Sequence, residues 1–385
     1  MDEAAALNTE PQNPKPLNLK PRGRGAISNR SGRFEATARE LVDDGWNSLA
    51  GDQSSEVAAE IGTQLETIIS VDQSRSIISK NDSPDLGFDR SINPYKGCEH
   101  GCIYCYARPT HTYLGFSAGV DFERRIFTKP HAAELLREAL NKPRYEPQTI
   151  VIGANTDCYQ PVERQLAITR QLLEVMLEAK HPVGLLTKSD LITRDIDLLA
   201  ELAKDDLVHV GVSVTSLDPK LSRLMEPRAS SPAKRLAAIK ALSEAGIPVR
   251  IMTAPMIPAL NDDQLEKLLQ AGHEMGARYA SYTMVRVPLE IEDLFREWLE
   301  EHFPDRAKRV FSLLRGCHSS ADDPNRAYNA EFGTRMRGSG PYADLLRQRF
   351  RATVMRLGLN SDRPPLPVNL FRPPAVETDQ FSMGF

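Results

Sequence analysis

Three of the five cysteines in this 385-residue chain crowd into one short run, Cys98-Glu99-His100-Gly101-Cys102-Ile103-Tyr104-Cys105. Thiolates are ligands for zinc and for iron–sulfur clusters, and a structural zinc or an ordinary [4Fe–4S] cluster takes four protein ligands. Three thiolates in one tight loop are one short. Such a loop holds three irons of a cubane and leaves the fourth iron open to a small molecule. A zinc loop would have to recruit His100, His111 or Cys158 as its fourth ligand, and no paired C-x2-C knuckle supports it. The Gly, Glu and His between the cysteines fit poorly with three unligated, buried thiols.

These residues need a scaffold. From about residue 90, short β-branched runs alternate with helical periodicity. Thr149–Gly153, Pro182–Thr187, Val208–Val214, Val249–Thr253 and Tyr279–Val285 read as strands. Residues 162–179, 196–204, 232–245, 262–275 and 291–303 read as helices, with another near His131–Leu140. With the cysteine-loop element this makes roughly six βα units. Apolar strands alternating with helices imply a parallel sheet covered on its outer face, either doubly wound or curled into a barrel.

Parallel α/β sheets put chemistry at the C-terminal ends of their strands. The sequence places Asn155-Thr156-Asp157-Cys158, Thr187-Lys188-Ser189, Ser213-Val214-Thr215-Ser216 and Val285-Arg286 there. Each group also has a bland reading. Asn, Thr and Asp are favoured where a helix starts, and a serine hydroxyl can merely satisfy backbone. A lysine at a strand end can pair with a carboxylate. Arg286 can meet an anionic substrate or an acid of the chain.

The C-x3-C-x2-C spacing resembles the signature of the radical S-adenosylmethionine (SAM) superfamily, and the chain is similar to its photolyase-like group, the spore photoproduct lyase family. The resemblance covers residues 88–300. It implies an α/β fold, a partial (β/α)6 TIM-like barrel, with N- and C-terminal extensions. It implies a [4Fe–4S] cluster on Cys98, Cys102 and Cys105, with the amino and carboxylate groups of S-adenosyl-L-methionine on the open iron. Tyr104 is then expected against the adenine, Lys188 near the SAM carboxylate and Ser213 at the ribose. A Gly-Gly-Glu-like motif is replaced here, so Asn155, Thr156 and Asp157 would supply polar contacts to SAM. Tyr106 is expected as a radical relay and Cys158 as a hydrogen donor, against the plainer readings of a packed tyrosine and a buried cysteine. The reaction implied is reductive cleavage of SAM to a 5′-deoxyadenosyl radical, which abstracts hydrogen from a substrate. That substrate is nucleic acid in the DNA-repair reading, or a peptide, protein or small molecule in the alternative. A third reading, from another class, is an interaction module with structural zinc or an electron-carrying cluster. A low-potential electron donor of flavodoxin or ferredoxin type is the implied partner.

The remaining sequence sets limits. Apolar residues make up 41% and the formal net charge is −4, so overall charge points to no special partner. No apolar run is long enough to span a bilayer, and Met1-Asp2-Glu3-Ala4 lacks the basic and apolar regions of a signal peptide. Few cysteines, three of them clustered, point to a reducing cytoplasm. Residues 1–80 read as a weakly ordered extension, with Lys15, Lys20, Arg22, Arg24, Arg30 and Arg33 free of acids from 11 to 34: a solvated tail, or an arm that meets phosphate or wraps the core. Residues 81–305 are the expected barrel and 306–385 a C-terminal extension. In that extension a helix carries Leu345, Leu346, Phe350, Val354 and Leu357 on one face and Arg347, Arg349, Arg351 and Arg356 elsewhere, ahead of a proline-rich end. Cys317-His318 is too small a pair to define a metal site.

Overall fold

A computed structural model of the chain describes residues 23–35, 66–318, 327–362 and 364–375. Its strands are β1 (Ile68–Val71), β2 (Ile78–Lys80), β3 (Arg90–Ile92), β4 (Tyr95–Lys96), β5 (Arg125–Thr128), β6 (Ile150–Ile152), β7 (Val183–Thr187), β8 (Val208–Ser213), β9 (Val249–Met256) and β10 (Tyr279–Met284). The main sheet runs β10-β9-β8-β7-β6-β3-β2. From β3 to β10 its six strands are parallel and in chain order, and β2 adds antiparallel to the outer edge of β3. Helices Ala132–Leu140, Ile168–Glu178, Ile196–Lys204, Pro232–Glu244 and Leu265–Glu274 are the crossovers, and Glu290–His302 follows β10. This is the partial (β/α)6 barrel that the resemblance implied.

Strand alternation explains the two faces. Ile150, Ile152, Val183, Leu185, Val208, Val210, Val212, Val249 and Ile251 are fully buried in the main apolar core with Leu136, Leu172, Leu199, Leu242 and Leu268 of the crossover helices. Burial of each such side chain stabilises the fold by about 1.5–3 kcal/mol. The alternate residues, among them Val151, Leu186, His209, Arg250 and Met252, line an internal cavity instead. A second sheet, β1-β5-β4, joins β4, which lies just before Cys98, to β5 and β1.

Several boundaries differ from the sequence reading. The helix expected over 162–179 breaks at Ala167, whose φ of 50° is left-handed, leaving Glu163–Leu166 and Ile168–Glu178. β9 runs on to Met256, and a further helix, Pro304–His318, follows Glu290–His302 across the expected boundary at 305. Residues 66–80, expected to be weakly ordered, form β1 and β2, because both pair with strands flanking the cysteine loop. Residues 23–35 lie against the body. There Arg30 pairs with Glu297 and Asp293, and Arg33 with Glu290. Lys15, Lys20 and Arg22 lie outside the described residues.

The C-terminal extension seals the barrel's open edge. The Met284 N–H of β10 donates to Met336 O at 2.9 Å. On the opposite bank, Gly333 N–H and Arg335 Nε donate to the carboxylate of Asp85 at 2.7 and 2.6 Å. Residues 333–336 therefore span from β10 to the loop between β2 and β3. The helix Gly340–Arg356 buries Leu346 and Phe350 and packs Val354 and Leu357 against the core, but Leu345 is 51% exposed, being off that face. Arg349 binds Glu266 through two nitrogens at 2.7 Å and Arg347 binds Asp344, so part of the basic face is spent within the chain. The proline-rich end is anchored: Phe371 packs against Tyr145 and His181, and Arg372 N–H donates to Ala179 O. Among the described residues no helix is long and apolar enough to cross a membrane.

Candidate functional site

A cavity of about 740 Å³ opens at the C-terminal ends of the parallel strands and continues into the barrel. Cys98, Cys102 and Cys105 all line it. Local geometry aims them. Gly97 and Gly101 take φ of +78° and +68°, values that favour glycine, and Cys105 N–H closes a turn on Cys102 O. Cys98 N–H donates to Phe122 O, Ile103 N–H to Met225 O and Arg228 N–H to His100 O, so the loop is tied to elements on both sides.

Two of the three thiols are strongly perturbed. Burial pushes the Cys98 thiol well up, and the neighbouring Asp157, Cys102 and Cys105 push it further. Burial raises Cys102 to about 12, with Glu226 and Cys105 adding to it and Lys188 opposing. A metal centre binds such groups as thiolates and offsets their burial and mutual repulsion. Three thiols on the wall of one cavity fit an iron–sulfur cluster with three protein ligands. It does not suit zinc. His100 Nδ1 is 3.3 Å from Asp157, His111 Nε2 is on Arg125 O, and Cys158 is in the core. Among the described residues no three His, Cys, Asp or Glu side chains converge as ligands of a single ion would.

Other expected site residues divide. Tyr104, Tyr106, Asn155, Asp157, Lys188 and Ser213 line the cavity. The Tyr104 hydroxyl donates to Glu226, which also accepts from Thr215 Oγ1 at 2.9 Å and from the guanidinium of Arg235. Lys188 Nζ lies 6.0 Å from the Tyr104 ring centre, and among the described residues no carboxylate forms an ion pair with it. Burial would lower its pKa, yet Cys102, Glu226 and Asp157 nearby raise it. Tyr106, 41% exposed, donates to Ala154 O, and the Arg286 guanidinium sits 4.1 Å over its ring.

Two of the expected residues lie away from the cavity. Cys158 does not line the cavity: it is fully buried in the apolar core, with its thiol 3.8 Å from Leu186 O. Thr156 is also turned inward, its hydroxyl donating to Tyr95 O at 2.6 Å. Asp157 faces the cavity but both its oxygens are spent. Oδ1 accepts from Thr187 Oγ1 at 2.7 Å and Tyr159 N–H at 2.9 Å; Oδ2 accepts from Lys188 N–H at 2.7 Å and lies by His100. Burial alone would raise this carboxyl, but His100 and these hydrogen bonds hold it well below the usual carboxylate range. Asp157 therefore joins the cysteine loop to the end of β7.

Sequence reasoning missed the Glu226–Arg235 pair, the stacking of Arg286 on Tyr106, and His209 and Arg250 inside the barrel. The last two had a signal, since they share the inward register of Ser213 and Met252. The others depend on contacts distant in sequence.

Fold and site together define a partial-barrel α/β enzyme built around three thiols at the strand ends. The chain belongs to the radical SAM superfamily, whose family model matches residues 92–271. It is 32% identical over 289 residues to uncharacterized proteins of Mycobacterium bovis and Mycobacterium tuberculosis, covering 73% of this chain and 78% of theirs. An uncharacterized protein of Methanocaldococcus jannaschii is 28% identical over 214 residues, 56% of this chain and 76% of that one. Among solved structures, spore photoproduct lyase complexed with dinucleoside spore photoproduct superposes with a TM-score of 0.54 at 16% identity, over 76% of this chain and 80% of that one. A mutant of that lyase with bound AdoMet gives 0.53 over the same shares. At that identity the likeness is one of fold. The superfamily's cofactors are a [4Fe–4S] cluster and SAM, and its chemistry draws on an electron donor.

Proposed function

We propose that Cys98, Cys102 and Cys105 hold the [4Fe–4S] cluster and that SAM lies in the cavity over the ends of β6, β7 and β8. The supporting observation is that all three thiols and the ammonium of Lys188, which has no ion-paired carboxylate among the described residues, face one cavity at the strand ends. Lys188 binds the SAM carboxylate, Tyr104 flanks the adenine, and Asn155 and Ser213 supply polar contacts. Asp157 and Thr156 position backbone rather than touch SAM. When bound, the reduced cluster and SAM supply a 5′-deoxyadenosyl radical for hydrogen abstraction. The chain's own share is to shut out water, through the span 333–336, and to aim the substrate. The reductant is a low-potential protein of flavodoxin or ferredoxin type, acting in the cytoplasm.

For the substrate we favour a nucleotide of a nucleic acid inserted singly into the cavity. Arg286, with no carboxylate partner among the described residues, is placed to meet an anionic group there. A cysteine-based return of hydrogen, as a lyase of the photoproduct type would use, is not favoured, since Cys158 is in the core; Tyr106 under Arg286 is the better donor. The sealed edge at 333–336 favours a second reading, a small molecule or a peptide side chain. Fluorescence anisotropy with labelled single-stranded DNA and RNA separates them. The nucleic-acid reading predicts binding at low salt that weakens as salt rises. No binding at low salt refutes it.

A further inference from the structure

The superfamily match begins at residue 92, yet the cysteine loop is held by residues far upstream of it. The carboxylate of Glu123 is fully buried and accepts the backbone N–H groups of Arg24, Gly25 and Ala26, the last two at 2.9 and 2.8 Å. Its other partner is Arg108, also fully buried. Arg108 in turn donates to Cys102 O at 2.9 Å and Gly101 O at 3.2 Å, the carbonyls between the first and third cysteines, and to Gly119 O at 2.9 Å. Arg24 adds a second route. Its guanidinium donates to Thr67 Oγ1 at 2.6 Å, and Thr67 donates to Glu99 Oε1 at 2.6 Å, inside the cysteine run. Glu99 also holds Val162 N–H and Arg228.

The contact is closed by two glycines meeting face to face. A methyl group on Gly25 would lie 1.9 Å from the Gly101 carbonyl oxygen, and one on Gly101 would lie 2.9 Å from the Arg24 Cβ. Any side chain at 25 must push back the peptide immediately before Cys102. Farther along the same segment, a methyl on Gly119 would lie 2.2 Å from Ser28 O, and Ser28 Oγ donates to Glu297 at 2.6 Å.

We propose that residues 23–26 are a positioning clamp for the cluster: through Glu123 and Arg108 they fix the Gly101–Cys102 peptide, and so the direction in which the Cys102 thiol is presented. Arg24, Gly25, Arg108 and Glu123 are positioning residues, acting on the metal centre only through the loop. The proposal rests on the reading that Cys98, Cys102 and Cys105 are the cluster ligands.

The test uses the full chain with Gly25→Ala, Glu123→Gln and, as a control, Gly316→Ala, where an added methyl meets nothing within 4 Å. The first readout is amide hydrogen exchange in the metal-free protein. Exchange across residues 98–105 should quicken by about tenfold or more in Gly25→Ala and Glu123→Gln, the equivalent of one lost charge-assisted hydrogen bond, while exchange in β7 and β8 stays as in the parent. The second is iron content and the electron paramagnetic resonance spectrum after anaerobic reconstitution. Both variants should retain less iron, and the signal of what remains should be altered. The Gly316→Ala protein should match the parent in both. Unchanged exchange in 98–105 overturns the clamp whether or not iron binds. Quickened exchange spread evenly over the barrel also overturns it, since it shows general loosening. A parent chain that takes up no cluster would sink the assignment of the ligands, while the exchange data still decide the clamp.

Discussion

Asp157→Asn is the perturbation whose size the structure allows to be worked out most fully. The carboxylate takes donors on both oxygens, and an amide keeps only one acceptor. If its nitrogen replaces Oδ1, it faces the Tyr159 N–H; if it replaces Oδ2, it faces the Lys188 N–H. Either way one buried backbone donor loses its partner, and the remaining donors face a neutral amide in place of a carboxylate. Hydrogen bonds to charged groups contribute about 1.5–3 kcal/mol each, and an unsatisfied buried donor costs about 1–3 kcal/mol, so the substitution should destabilise by about 3 kcal/mol at neutral pH. The pH dependence follows from the lowered carboxyl. A group whose folded pKa lies below its unfolded value of 3.8 contributes fully above that value and loses its contribution as pH falls through the folded pKa. Urea denaturation of parent and variant across pH should thus give a gap that narrows as pH falls below 3.8. SAM affinity of the folded variant should change little. Refutation would be a variant as stable as the parent with a large loss of SAM affinity, which is what a direct SAM contact predicts.

Three further outcomes follow from the same geometry. Cys158→Ala should cost about 1–3 kcal/mol as a core truncation, yet leave SAM cleavage by the folded protein within twofold or so of the parent; rates of 5′-deoxyadenosine release check it. Lys188→Met removes the ammonium assigned to the SAM carboxylate and should weaken SAM binding about 10–150-fold, read by equilibrium binding to the reconstituted protein, with thermal stability nearly unchanged. Arg235→Met leaves Glu226 buried without its cation and should destabilise by about 3–5 kcal/mol in denaturation; a loss under 1 kcal/mol would mean that Thr215 and Tyr104 suffice for that carboxylate.

Much of the barrel was legible because its signals are local. The runs that became β6 to β10 are short, β-branched and separated by periodic helices, and the cysteine spacing lies within one loop. The short strands β3, β4 and β5 carried no such pattern, and their pairing is set by the loop they frame. The strand-end residues were placed on the right elements, but not their directions. Asp157 and Cys158 are neighbours in sequence and face opposite ways, one onto the cysteine loop and one into the core. The basic run from 11 to 34 left open a solvated tail or an arm that meets phosphate or wraps the core, and residues 23–35 lie against the body, with Arg24, Arg30 and Arg33 paired to acids more than sixty residues away in sequence. Charge counted along the chain could not show that pairing, because the acids belong to other elements.

The central claim is that the three thiols form a centre able to cleave SAM. Anaerobic reconstitution, dithionite reduction and addition of SAM, with 5′-deoxyadenosine quantified by chromatography, test it directly. The parent chain should take up about four irons, as a cubane requires, and release 5′-deoxyadenosine, and Cys102→Ala should do neither. Stoichiometric zinc in place of iron, or an iron-loaded protein that leaves SAM intact, would contradict it.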